Sequence, residues 1–215
     1  MTKTLYWTRH APVFRRHDEI VGSGTDRDLN NEGIEKAHAL ARGLSHAAIR
    51  GTLKDLSGVI VSSSLLRAVS TSEIVANVLG FEVRLEDDLR AQHFGELEGM
   101  LKSEVDEEPR LSAHLHKNLL PEDLYSDRTP GGESIEDVFK RMDKARRRLF
   151  IGEEGNPLVI THGSVLNMVI GSVQGLTVPQ WTDISTGYKG MVIGDSGDSI
   201  SGIELPEPPL ITPPR

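Results

Sequence analysis

The sequence contains no cysteine. Disulfide bonds, thiol nucleophiles and thiolate metal ligands are therefore excluded. Aromatic residues make up only 5% of the chain, and no apolar run approaches bilayer-spanning length. The first residues hold no basic segment followed by a long apolar stretch, so a cytoplasmic location is expected. Positive charge is scarce too: 24 Lys and Arg against 32 Asp and Glu give a formal net charge of -8. Such an acidic body is unsuited to nucleic acid or an anionic membrane, and neither is expected as a partner. An anion site must be a local cationic pocket.

What is present points to such a pocket. At 215 residues the chain is long enough for one domain with a substantial core, expected over 1–205. A proline-rich tail, 206–215, would follow it, carrying Pro208-Pro209 and Pro213-Pro214. Three apolar runs read as strands that end in reactive side chains. Thr4 to Thr8 leads into Arg9-His10, Gly58 to Val61 leads through Ser62-Ser63-Ser64 to Arg67, and Pro157 to Thr161 ends in His162-Gly163. In open α/β sheets, ligands bind beyond the carboxyl ends of parallel strands.

Between the strands, helical spacing predicts a helix capped by Asn30 or Asn31 through Ile34, Ala37, Leu40, Ala41 and Leu44. A second would bury Leu66, Val69, Ile74, Val75, Val78 and Leu79 and stop at Gly80, before a short strand at Phe81 to Val83. A third, Glu133 to Leu149, would turn Ile135, Val138, Phe139, Met142 and Leu149 inward. Its basic triplet Arg146-Arg147-Arg148 would complement the helix dipole. The order predicts a three-layer α/β/α sandwich on a mostly parallel sheet. The polar stretch 101–130 reads as a partly helical, lid-like insertion over the site.

The two arginines and two histidines suit phosphate chemistry. Phosphoryl transfer demands positioning and charge stabilisation. A guanidinium fork gives both without a metal. One neutral histidine can attack phosphorus, and the other can hydrogen-bond the charge that develops on its oxygens. His10, beside Arg9, is the better nucleophile and His162 the stabiliser. From spacing alone, satisfied strand-end histidines and surface arginines explain the same residues.

The motifs add a resemblance over roughly Leu5 to Gly171. Arg9-His10-Ala11, Leu29 to Gly33, Ser62 to Thr71, Phe94-Gly95-Glu96-Leu97-Glu98-Gly99, Gly132-Glu133-Ser134 and Ile160 to Gly163 occur in the order of the histidine phosphatase superfamily, which includes the cofactor-dependent phosphoglycerate mutases. The resemblance implies that fold, a phosphohistidine at His10, and a phosphate pocket of Arg9, Arg67 and His162. It implies no metal and no cofactor. The expected partner is a small phosphorylated substrate, and the expected assembly is a monomer or homodimer.

Two departures stand out. Where the mutase-like branch carries an acidic glutamate, three residues before the Phe of the Phe-Gly element, this chain has Ala91. The other branch carries an aspartate directly after the second histidine, and here that residue is Gly163. Asp87, Asp88, Glu96 and Glu98 are substitute acids by proximity, each equally readable as an ordinary solvated charge, and His93 is another. An introduced alanine, or a weak enzyme or phospho-ligand binder, accounts for the same departure. Family phosphatases often place an asparagine a few residues beyond the first histidine, where this chain has the arginine-rich Val13 to His17; Arg16, His93 and Ser164 are candidate substrate contacts. Phosphatase is the expected activity, with a mutase or a non-catalytic binder as alternatives.

Other motifs carry less. Gly194-Asp195-Ser196-Gly197 resembles the surroundings of a protease serine but reads better as a hairpin turn. Gly22-Ser23-Gly24 lacks the third glycine of a dinucleotide loop. His114 and His116, two apart, would leave a helix on different sides, so no metal pair is expected.

Overall fold

The structure, a computed structural model, describes residues 3–115, 121–152, 155–184 and 191–205. The expected tail 206–215, His116 and the side chain of His114 lie outside the described residues. Strands and helices alternate as β1 (Leu5–Arg9), α1 (Asn31–Ile49), β2 (Leu56–Ser62), α2 (Leu66–Leu79) and β3 (Glu82–Leu85). The insertion follows as α3 (Lys102–Asp106), α4 (Pro109–Leu115) and α5 (Pro121–Leu124). Then come α6 (Ile135–Gly152), β4 (Asn156–Thr161), α7 (Gly163–Val173), α8 (Val178–Asp183), β5 (Met191–Asp195) and β6 (Ile200–Glu204).

The six strands form one sheet in the order β3-β2-β4-β1-β5-β6. The first four are parallel, and β5 and β6 add an antiparallel edge. Side chains alternate across a strand, and the two faces sort accordingly. Leu5, Trp7, Val61 and Val159 pack with Val138 and Met142 of α6 and Val165 and Val169 of α7. Tyr6, Ile60, Leu158 and Ile160 pack with Leu40 and Leu44 of α1 and Val75 of α2. The expected α/β/α sandwich is what forms. No helix among the described residues is long and apolar enough to cross a membrane.

Local chemistry sets the helix ends. Asn30, not Asn31, caps α1, its Oδ1 accepting from the Gly33 N–H at 2.8 Å. Ser134 and Asp137 cap α6 reciprocally: the Asp137 N–H donates to Ser134 Oγ at 3.1 Å, and the Ser134 N–H donates to Asp137 Oδ2 at 2.9 Å. The buried face of α2 differs from the one expected. Arg67, Ala68, Thr71, Ser72, Val75 and Ala76 are buried, whereas Leu66 and Val78 are 47% and 45% exposed. The helix is rotated so that Arg67 faces inward, and small residues let it lie close to the sheet.

The basic triplet of α6 has a different role from the expected one. The helix runs on to Gly152, so these arginines sit before its last turn. Arg147 pairs with Asp143 at 2.7 Å, and Arg148 with Glu86 and Asp88 at 2.8 Å each. Arg146 holds Asp195, which is fully buried, through bonds of 2.6 Å from Nε and 2.7 Å from Nη2. Asp195 also accepts from Trp7 Nε1 at 3.3 Å and from the Gly197 N–H at 2.9 Å. Thus the Gly194 to Gly197 segment closes the β5–β6 hairpin, and its aspartate ties that edge to α6.

Helices α3 and α4 share a small core with the segments before them. Val105 and Leu111 pack with Leu97, and Ile20, Phe94 and Met100 border them. Further on, the Tyr125 ring lies 6.3 Å from Trp181 and 6.4 Å from Phe139, centroid to centroid.

Removing one partner of a buried ion pair leaves the other charge uncompensated and costs about 3–5 kcal/mol. Asp195→Ala is therefore expected to lose stability of that order in urea unfolding. Asp195→Asn, which keeps polar partners for Trp7 and Gly197, should lose less. Equal losses for the two would show that the charge contributes little.

Candidate active site

The site starts from the pairing of β1 with β4. These strands run parallel, with Arg9 opposite Thr161, and the His10 N–H donates to the Thr161 carbonyl at 2.9 Å. That register sets His10 and His162 side by side, with ring centroids 4.9 Å apart. β2 lies on the other side of β4 and delivers Ser63, whose N–H donates to the Ile160 carbonyl at 2.9 Å. Arg67 follows in the first turn of α2. Together these residues reach one pocket of about 220 Å³, lined by Arg9, His10, Arg15, Arg67, Ala91 and His162, among others.

The tautomer of His10 is fixed by its neighbour. Its Nδ1 lies 2.7 Å from the Ala11 carbonyl, which can only accept, so Nδ1 carries the proton and Nε2 keeps its lone pair. Thr71 holds that turn, its Oγ1 accepting from the Ala11 N–H at 3.0 Å and donating to the Arg67 carbonyl at 2.6 Å. Burial, then the positive field of Arg67 and Arg9, pushes the His10 imidazole down to about 3, against a weaker opposing effect of the Ala11 bond. His10 is neutral at physiological pH.

His162 is held differently. Its Nε2 lies 2.7 Å from Ser63 Oγ, which also accepts from the Leu65 N–H at 3.4 Å. A Ser63 hydroxyl that donates to Nε2 puts the ring proton on Nδ1, which is buried without a partner among the described residues. A buried donor left unsatisfied costs about 1–3 kcal/mol, so this atom is poised for a ligand acceptor. Burial, His10 and the nearby arginines hold the imidazole well below its usual range.

Arg67 is locked in place. It is 3% exposed, donates to the Gly22 carbonyl at 3.0 Å and the Thr25 carbonyl at 3.3 Å, and approaches Asp26 at 3.7 Å. The side chains of Arg9 and Arg15 make no hydrogen bond or ion pair among the described residues. Burial and the charge of Arg15 lower the Arg9 affinity for its proton. The arrangement is a cationic pocket with two neutral imidazoles, suited to a phosphate dianion.

Ala91 lies on the wall of this pocket. No carboxylate lines it among the described residues, and each expected substitute is committed elsewhere. Glu96 pairs with Arg110, Asp87 accepts from Ser64, and Asp88 pairs with Arg148. Glu98 accepts from the N–H groups of Gly22, Gly24, Thr25 and Phe94 at 2.9–3.1 Å and from Thr25 Oγ1 at 2.6 Å. Burial would raise its affinity for a proton, but those bonds outweigh it and hold Glu98 below the ordinary range as an anion.

Two expected contacts are displaced. Arg16 turns to Glu19 and to the Gly99 carbonyl at 2.5 Å, and Arg15 lines the pocket instead. His93 accepts from the Gly95 N–H at 2.9 Å through Nδ1, and Gln92 lines the pocket in its place. Ser164, in the first turn of α7, does line it.

The sequence reading missed the supports. Arg141 of α6 donates to the carbonyls of Asp88, Arg90 and Ala91 at 2.7–3.0 Å and pairs with Glu133 at 2.8 Å. Glu133 also accepts from the His93 N–H at 2.9 Å. Its presence in the Gly132-Glu133-Ser134 motif was the available signal. Gly95, at φ +58°, lies against Pro130, whose carbonyl oxygen would be 1.9 Å from an added Cβ. Only glycine fits that approach.

The same architecture recurs in known proteins. Residues 5–197 match the model of the histidine phosphatase superfamily, branch 1. A bifunctional protein of Mycobacterium tuberculosis is 35% identical over 143 residues, which cover 66% of this chain but only 36% of that protein. A phosphoglycerate mutase-like protein of Arabidopsis thaliana is 27% identical over 160 residues, covering 74% of this chain and 65% of its own length. The chain thus spans about a third and just under two thirds of these relatives. The crystal structure of an alpha-ribazole phosphatase from Shigella flexneri superposes with a TM-score of 0.72 at 20% identity, covering 94% of this chain and 95% of that one. The match runs from the first strand to the terminal hairpin and takes in both histidine-bearing strand ends, so the chain belongs to the histidine phosphatase superfamily, branch 1.

Proposed function

We propose that the protein is a phosphomonoester hydrolase that works through a phosphohistidine at His10. The neutral His10 imidazole carries this reading: its Nε2 lone pair is free because Nδ1–H is bound to the Ala11 carbonyl. In the first step that lone pair attacks phosphorus, an N–P bond forms, and the ester P–O bond breaks with its electron pair leaving on oxygen. Arg9, Arg67 and the Nδ1–H of His162 stabilise the charge on the phosphoryl oxygens. In the second step water attacks phosphorus, the N–P electrons return to Nε2, and inorganic phosphate departs. With Ala91 in the acid position, the departing oxygen takes its proton from solvent.

A mutase would have to hold a second anionic substrate group beside the phosphohistidine and exclude water. The space that adjoins the pocket is mainly apolar, and Arg9 is its only cationic lining residue among those described. That observation favours hydrolysis over transfer to a bound phosphoglycerate.

His10→Ala is expected to abolish phosphate release and the acid-labile phosphoenzyme; undiminished turnover would remove the nucleophile from this role. General acid catalysis is worth about 10²–10⁴-fold. Ala91→Glu should therefore raise turnover of alkyl phosphates, whose alkoxides leave poorly, by a factor in that range, and aryl phosphates by much less. A uniform effect on both would mean that proton supply does not limit the reaction.

Neutral burial of His10 also has a pH signature. Its folded value lies below the ordinary one, so between pH 6.5 and about 3 the unfolded chain binds a proton that the folded chain does not. Stability must then fall as pH falls through that window, by about 2 kcal/mol from this group between pH 7 and pH 5. Urea unfolding of the wild type and His10→Gln at both pH values tests this. The variant should lose less stability on acidification, and parallel losses would contradict it.

A further inference from the structure

The phosphate pocket opens into a larger chamber of about 510 Å³. The two share Arg9, Gln92, Phe94, Gly163 and Ser164, so a phosphoryl group seated on His10 would direct its ester substituent through that junction. Beyond the junction the walls are Ile135, Met168, Val178, Trp181 and Ile184, with Asn167 as a polar member. Asn167 Nδ2 donates to the Ile184 carbonyl at 3.0 Å, so that amide proton is already used within the wall. No carboxylate lines the chamber among the described residues. An apolar cavity of about 150 Å³ is enough to accept benzene. This chamber has room for a fused ring system.

Trp181 is the built part of this chamber. Its Nε1–H donates to the Leu176 carbonyl at 2.9 Å, and its ring sits 5.4 Å from Phe139 and 6.3 Å from Tyr125, so its position is fixed. Beneath it lies Gly171, in the last turn of α7. A Cβ at that position would come within 2.0 Å of Trp181 Cδ1. Glycine inside a helix costs about 0.5–1 kcal/mol relative to alanine. The chain accepts a glycine at the place where it lets the indole approach closely the helix that carries Ser164.

We propose that this chamber selects the leaving group, and that the substrate class is phosphate monoesters of apolar, ring-bearing phenols, with Trp181 seated on Gly171 as the specificity-determining contact. The proposal rests on the hydrolase reading for its chemistry. Two independent features then agree. The chamber presents aromatic and aliphatic walls to the substituent, and the pocket offers no carboxylic acid to the departing oxygen. A phenol, with a pKa near that of the tyrosine hydroxyl at about 10, leaves without protonation far more readily than an alkoxide. Water-loving alcohols such as glycerol are disfavoured on both counts.

The test compares two aryl esters whose leaving groups have similar acidity and different size, and refers both enzymes to one small acyl phosphate, so that chamber binding is separated from leaving-group chemistry. Phosphate release is followed from phenyl phosphate, 1-naphthyl phosphate and acetyl phosphate, the last too small to reach Trp181. Burial of the second ring should give 1-naphthyl phosphate at least about tenfold higher kcat/KM than phenyl phosphate, expressed through KM. In Trp181→Ala, the 1-naphthyl to acetyl ratio of kcat/KM should fall about tenfold or more. Gly171→Ala keeps the indole but displaces it, and should lower the same ratio; it decides the matter if Trp181→Ala fails to fold. Equal kcat/KM for the naphthyl and phenyl esters, or a ratio unmoved in a folded variant, would overturn the proposal. If no ester releases phosphate, acetyl phosphate included, the hydrolase reading fails instead. Calorimetric binding of 1-naphthyl phosphate against phenyl phosphate then still judges the chamber, by the same tenfold preference.

Discussion

The parallel register between β1 and β4 is the constraint on which the site depends. Pairing Arg9 with Thr161 brings two histidines, separated by most of the chain, to adjoining strand ends. A shift by one residue would exchange the faces of the strand and send His10 away from His162. Both strands are buried at the middle of the sheet, with Leu5, Trp7, Leu158, Val159 and Ile160 locked into the two helix layers. The core therefore fixes the register, and the register fixes the imidazole pair. Packing and chemistry are joined at this point.

Around that pair, charged groups are divided by role. Arginines that face the phosphate pocket lack acidic partners within it, whereas the acids nearby are spent on structure. Glu98 shows how far this goes. Its carboxylate organises Gly22 to Thr25, and the carbonyls of Gly22 and Thr25 in turn receive Arg67. An anion thereby positions a cation without touching it. The pocket keeps its positive field because the neutralising charge is one layer away.

The strand ends were legible in the sequence because they combine an apolar run with an abrupt polar stop. Arg9, His10, Arg67 and His162 all come from such stops, and the motif order made the fold readable as well. What escaped were features set by neighbours distant in sequence. The face of α2 was misjudged because apolar periodicity selected Leu66 and Val78, although burying Arg67 rotates the helix. The triplet in α6 looked like a dipole device, yet its partners Asp195, Glu86 and Asp88 lie 49 to 62 residues away. Arg16 and His93 were each one residue from the side chain that lines the pocket. Neither segment is a strand, so no regular alternation was available to say which neighbour faces the pocket.

The clamp of Arg141 on the carbonyls of Asp88, Arg90 and Ala91 has an evolutionary consequence. It holds the main chain at position 91 through backbone atoms alone, whatever side chain projects there. Alanine and glutamate codons can differ by a single base. Under the proposed mechanism, a lineage can thus gain or discard a proton donor in one mutational step, without rebuilding the scaffold around the pocket. Leaving-group preference would then be an adjustable trait on a fixed frame.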